Sequence, residues 1–131
     1  MAILQDTIQQ HTYIEYIPID HRVDELEGSQ LCFTYVEQGK VVYKQRFGWT
    51  NRTVHAFIHM LQYFPLRQYD GYFSHFEKHL EMKWSHNEEH DHYTIQFIDA
   101  DISMTIQAGK EQLITFGHQF QQQWHQSTVI E

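Results

Sequence analysis

Apolar positions in this chain recur with two periods, and the switches between them divide it into elements. From His11 to Asp20 the text HTYIEYIPID alternates, with Ile14 and Tyr16 on one face and Tyr13 on the other, which predicts a strand. Pro18 has no N–H for a neighbouring strand, so it marks an edge or a strand end. A weaker strand is read at Ile3–Gln9. Leu31–Val36 and Val41–Phe47 flank the glycine-containing connection EQGK, the pattern of a hairpin. Leu31, Phe33 and Tyr35 fall on one face of it, and Cys32, Thr34 and Val36 on the other.

The period then lengthens. Val54, Phe57, Ile58, Leu61 and Phe64 recur at helical spacing, Thr50 or Asn51 can cap the start, and Pro65 stops the run, so a helix is predicted at about 51–64. Between 69 and 84 both periods fit: Tyr69, Phe73, Phe76 and Leu80 suit a helix, Leu80, Met82 and Trp84 a strand. The preferred reading is a turn at Asp70-Gly71 and a strand near His79–Trp84. His92–Ile98 and Ile102–Gln107 read as strands around a tight turn, Asp99-Ala100-Asp101, whose carboxylates suit backbone hydrogen bonding there. Phe116, Phe120 and Trp124, four apart, predict a short C-terminal helix at about 117–125, with Leu113–Phe116 as an alternative strand before it. This order predicts an α+β fold: a mostly antiparallel sheet of about five to six strands, with both helices on one side. No repeat or linker breaks the pattern, and a single domain over 1–131 is expected.

Composition supports a self-sufficient core. A chain of 131 residues buries roughly two-thirds of its unfolded surface, so no disulfide or metal is needed to hold it. Nine Phe, eight Tyr and three Trp supply large apolar area. Cys32, the sole cysteine, lies in the apolar run LCFTYV and reads as a buried thiol; an internal disulfide is excluded. No apolar run approaches the length of a membrane span, and the start MAILQDTIQQ does not read as a signal peptide, so a cytoplasmic location is expected. The formal charge of −8 disfavours nucleic acid and anionic membrane as partners.

Eleven histidines raise the question of a metal. His55 and His59 have the spacing of helical zinc ligands, but Ala56 stands where a zinc protease needs its glutamate. His75 and His79 share that spacing, yet Glu77 is two residues after the first histidine. On a helix that is a rotation of about 200°, away from both rings. The stretch SHNEEHDHY, with His86, His90 and His92, lies between two predicted strands and reads as a solvated hairpin tip. No metal site, cofactor or catalytic set is assigned, and no phosphate-cradling glycine loop or nucleophile elbow is present.

Two acidic groups remain: Asp20, Asp24, Glu25 and Glu27 in IDHRVDELEGSQ, and Glu88, Glu89 and Asp91 in the histidine-rich loop. Acidic clusters steer basic partners, and neighbouring tryptophans can anchor a contact, so Trp49 and Trp84 join the candidates. In size, charge and element order the whole chain resembles the bacterial toxin-immunity proteins of the contact-dependent inhibition and polymorphic-toxin systems. The resemblance implies neutralisation of a cognate toxin, often a basic nuclease, by covering its active site or a nearby exosite. No individual residue is carried over from it. The leading reading is therefore a non-enzymatic inhibitor of a basic protein. A histidine-based metal enzyme or sensor, and a small-ligand module with an aromatic pocket, are the alternatives.

Overall fold

Among the described residues the chain runs twice through four strands and a helix, and ends on a further strand. The first round is β1 (Ala2–Gln5), β2 (Tyr13–Arg22), β3 (Gly28–Glu37), β4 (Lys40–Thr50) and α1 (Asn51–Gln62). The second is β5 (Tyr72–Phe73), β6 (Glu81–Asn87), β7 (His92–Asp99), β8 (Ile102–Ala108) and α2 (Lys110–Gln126), followed by β9 (Thr128–Ile130). The computed structural model describes every residue except Met1, Glu25, Arg67, Tyr69, Asp70, Ser74, Phe76 and Lys78. The acidic candidate Glu25, the turn residue Asp70, and Tyr69 and Phe76 of the ambiguous segment thus lie outside it.

The α+β class holds, with two sheets where one was expected. Strands β1-β2-β3-β4 form one antiparallel meander, with β9 added parallel to the end of β2, and β5-β6-β7-β8 form another. The physical reason is α1, which follows β4 directly and carries the chain away from the first sheet's edge. Each sheet keeps one apolar face, and both faces close on a shared core. Phe97 of β7 lies 5.8 Å from Phe33 of β3 and 6.2 Å from Tyr16 of β2, ring to ring. Helix α2 packs on β1, β2 and α1, and α1 packs against β3 and β4.

Local chemistry explains most boundaries. The β3–β4 turn is Gln38-Gly39, both at positive φ (51° and 83°), the two-residue turn whose twist matches a hairpin. Thr50 caps α1 by accepting the Thr53 N–H, and Val54, Phe57, Ile58 and Leu61 form the buried stripe. The strand near the N-terminus is shorter than expected, ending at Gln5. The C-terminal helix is longer, and the alternative strand at Leu113–Phe116 is helical. Leu113 completes the buried stripe with Phe116, Phe120 and Trp124, and a short apolar run cannot announce its period alone. Cys32 is half-buried rather than buried, because its face of β3 lies away from the core. No described helix is long and apolar enough to cross a membrane.

Candidate functional site

The β2–β3 connection, residues 23–27, is an acidic loop fixed from beneath. Within it the Asp24 carboxylate accepts the Leu26 N–H (2.9 Å), and the Glu27 N–H donates to the Asp24 carbonyl (3.0 Å). An aspartate closing a turn on its own backbone is a local device. The support below is tertiary. The indole N–H of Trp124 donates to Ser29 Oγ (2.9 Å), and Ser29 donates to Asn51 Oδ1 (2.6 Å). The Asn51 amide group then donates to the carbonyls of Arg22 and Asp24, and its backbone N–H to Glu27 O (2.7 Å). Each donor in this Trp124–Ser29–Asn51 series has an acceptor, so the orientation of the Asn51 amide follows from its partners. Asn51 and Ser29 are buried, 2% and 1% exposed, where an unmade bond would be costly.

Above this latch, side chains face solvent. Val23 is 78% exposed and Leu26 72%, and around them stand the exposed Asp24 and Glu27 and the half-buried Asp20. Arg22 pairs with Glu27 at 3.4 Å across the loop base; both are half exposed, so the pair adds little stability. Beside the loop lies a cleft of about 380 Å³ whose lining includes Asp20, Arg22, Trp49 and Glu77. Glu77 is held there by the Thr50 N–H (2.8 Å).

Three imidazoles surround the Trp124 end of the latch: His21 at 4.5 Å, His55 at 5.1 Å and His125 at 5.4 Å between ring centroids. Ser127 spends its single hydroxyl proton on Trp124 O (2.6 Å), so at 2.7 Å it is His21 Nδ1 that donates to Ser127 Oγ. Burial lowers the His21 pKa, the His125 charge lowers it further, and Asp20 opposes both.

The other candidates fall elsewhere. Trp49 is corrected to a core residue: it is 1% exposed, and its indole N–H donates to His79 O (3.0 Å). Its position at the hairpin exit turns it inward with Phe47, on the face that packs on α1. Trp84 is half-buried and rests on Phe64 with ring centroids 5.1 Å apart, at the edge of the core. Glu88, Glu89 and Asp91 sit exposed on the β6–β7 turn, where Asn87 Oδ1 accepts the Glu89 and His90 N–H groups. The two acidic loops are not brought together. One is held by Asn51 at the start of α1, and the other extends from strands whose Trp84 and Tyr93 rings meet Phe64 beyond its end. Between Asn51 and that end runs the 12-residue helix α1, about 18 Å long.

The histidines also disperse. His86 contacts Asp91 at 3.1 Å, His59 lies on Tyr63, and His75 bonds through Nε2 to His79 O (2.8 Å), while burial lowers the His75 pKa. Among the described residues no three of His, Cys, Asp and Glu are placed to hold a metal ion. Asp99, expected to serve its own turn, accepts the Tyr43 hydroxyl instead (2.6 Å).

Asn51, Ser29 and Trp124 were missed as site residues. Their separation along the chain leaves no local signal, and each type is ordinary where it stands. Val23 and Leu26 did leave one: two aliphatics inside an acidic turn, VDELEG, that no core period claims. In comparison with known proteins, no family profile, no curated protein and no solved structure matches this chain.

Proposed function

We propose that this chain is a non-enzymatic binding protein that inhibits a basic protein partner, as immunity proteins do, and that it binds through the β2–β3 loop. The observation that carries the reading is the pairing of exposed aliphatics with a hydrogen-bonded backbone beneath them. Val23 and Leu26 stand 78% and 72% exposed on a loop whose backbone is bound by a buried asparagine. Exposed aliphatics on an ordered loop lose little entropy on contact, so burying them yields net affinity. The acids around them favour a cationic partner and speed its approach. Asp20, Asp24 and Glu27 are the charged members of this surface; Glu88, Glu89 and Asp91 make a separate acidic tip that acts only by long-range steering.

The test pairs the wild type with a Leu26→Ser, Glu27→Lys double variant, which spares the Asp24 turn and the backbone bonds to Asn51. Both are immobilised, exposed to lysate of the source strain and eluted with rising salt. The expected result is one basic protein, retained by the wild type and held at least about tenfold more weakly by the variant. Co-expression should protect cells from that protein when it is toxic, and the variant should not. Equal retention by both forms would overturn the loop assignment.

A further inference from the structure

A second groove shares no lining residue with the acidic loop, and one of its walls is an open sheet edge. It encloses about 650 Å³ between β8 on one side and the β3–β4 hairpin on the other. Among the described residues strand β8 is the last in its sheet and pairs with β7 alone. Its backbone directions follow from one position. The Gln107 N–H donates to Asp6 Oδ2 (2.9 Å) and its carbonyl accepts the Thr7 N–H (2.9 Å), so both groups point away from β7. In an antiparallel strand alternate residues repeat that direction. Ser103 and Thr105 therefore aim their N–H and C=O groups outward, and both line the groove.

The edge is closed at one end only. Asp6 and Thr7 cover Gln107, as the first bonds of an added strand would, and nothing among the described residues continues the ladder to Thr105 and Ser103. Open edges are usually guarded by charge, proline or brevity. The sequence ISMTIQA of β8 has seven residues, no charge and no proline. Across the groove, Val42 is 58% exposed, and Ile8 and Ile102 are 64% and 43% exposed, so apolar surface waits beside the unpaired backbone. The charge of the groove has one sign: its lining includes Asp6 and Glu37 and no Lys, Arg or His. The three backbone N–H groups that bind Asp6 hold its carboxylate in place.

We propose that this groove binds an extended, cationic segment of a partner protein as an added strand along β8. The segment's backbone pairs with Ser103 and Thr105, its apolar side chains cover Val42, Ile8 and Ile102, and a lysine or arginine meets Glu37. Main-chain bonds of this kind supply affinity, and alternate side chains supply selectivity. The acidic lining disfavours a second copy of this chain, itself of net charge −8, as the occupant. The inference uses no feature of the β2–β3 loop.

Amide hydrogen exchange by NMR tests it, with the capped peptide Val-Lys-Val-Thr-Val-Lys-Val as probe. In the free protein the Ser103 and Thr105 amides should exchange fast, and those of Met104 and Ile106, which face β7, slowly. The peptide should slow Ser103 and Thr105 by about tenfold or more. The same peptide N-methylated at alternate residues, and its glutamate-for-lysine analogue, should not. Glu37→Lys should weaken the effect, and Thr105→Pro, whose lost N–H points outward and takes no part in the pairing with β7, should abolish it in a folded protein. Absence of protection with the lysine peptide overturns the proposal. So does protection without peptide that grows with protein concentration, which would make a second copy the occupant. The Leu26→Ser, Glu27→Lys variant should bind the peptide as the wild type does, so failure of the loop reading and failure of this one are separately visible.

Discussion

At the scale of single residues, buried polar atoms decide the outcome. Tyr16 is fully buried with its ring against both sheets and both helices, and its hydroxyl has no hydrogen-bond partner among the described residues. Burial, and then the Asp99 charge, push its pKa well up, so it stays a neutral phenol. Tyr16→Phe removes an unmet polar group and leaves the ring, so stability should rise by about 1 kcal/mol in urea denaturation; a comparable loss would reveal a partner for the hydroxyl. Asn51→Ala should do the reverse. It strips the loop of its latch and leaves Ser29 without its acceptor, at a cost of about 2 kcal/mol and with faster amide exchange at Glu27 and Leu26. His21 adds a pH dependence. Burial holds its native pKa below the ordinary value, so below pH about 6.5 the unfolded chain binds more protons than the native one. Its contribution to stability is complete above that pH and is lost as pH falls toward the native value. His75, also lowered by burial, acts in the same direction. The urea midpoint should drop between neutral pH and pH about 5.5, and His21→Gln should reduce the drop; an unchanged pH profile would remove His21 from the account.

At the scale of elements, the crossing of α1 and α2 is set by one missing side chain. A Cβ on Gly117 would stand 2.7 Å from Leu61 Cβ and 3.3 Å from the Gln62 backbone nitrogen. Helix propensity alone would make Gly117→Ala favourable by about 1 kcal/mol. The overlap is with the near end of a packed side chain and with backbone, so the helices must separate, at a cost of about 1–3 kcal/mol. A lower melting temperature is the expected result, and a higher one would show that the helices can slide apart freely. The turns follow the same division. Gln38-Gly39 is a hairpin turn written in the sequence, whereas Asn51 is a helix-start residue whose larger task, holding a loop from another connection, is not.

At the scale of the whole molecule, charge bears on the proposed association. With 17 acids against 9 bases the chain carries a net negative charge, and the two sites proposed above, the β2–β3 loop and the β8 groove, are both acidic. Affinity for a basic partner should fall as salt rises. It should fall again as the solution is made more acid, because each proton taken up reduces the net negative charge. Titration calorimetry across both variables checks this, and an affinity flat in salt and pH would exclude an electrostatic interface.

The sequence by itself determined the parts that depend on neighbours a few residues apart. These are the β3–β4 hairpin, the cap and apolar stripe of α1, the β7–β8 turn, the exposed acidic tip at Glu88–Asp91 and the α+β class. Periodicity is local, so it survives without coordinates. Only the tertiary structure decided what distant pairs do. It split the strands into two sheets on one core, buried Trp49 there, rested Trp84 on Phe64, and gathered His21, His55 and His125 around Trp124. It also joined Ser29, Asn51 and Trp124 beneath the acidic loop, and it left β8 as an open edge beside Val42 and Glu37. Such contacts join residues far apart in the chain; Trp124 and Ser29 are 95 residues apart. A one-dimensional pattern records which side chains are apolar, but not which of them meet.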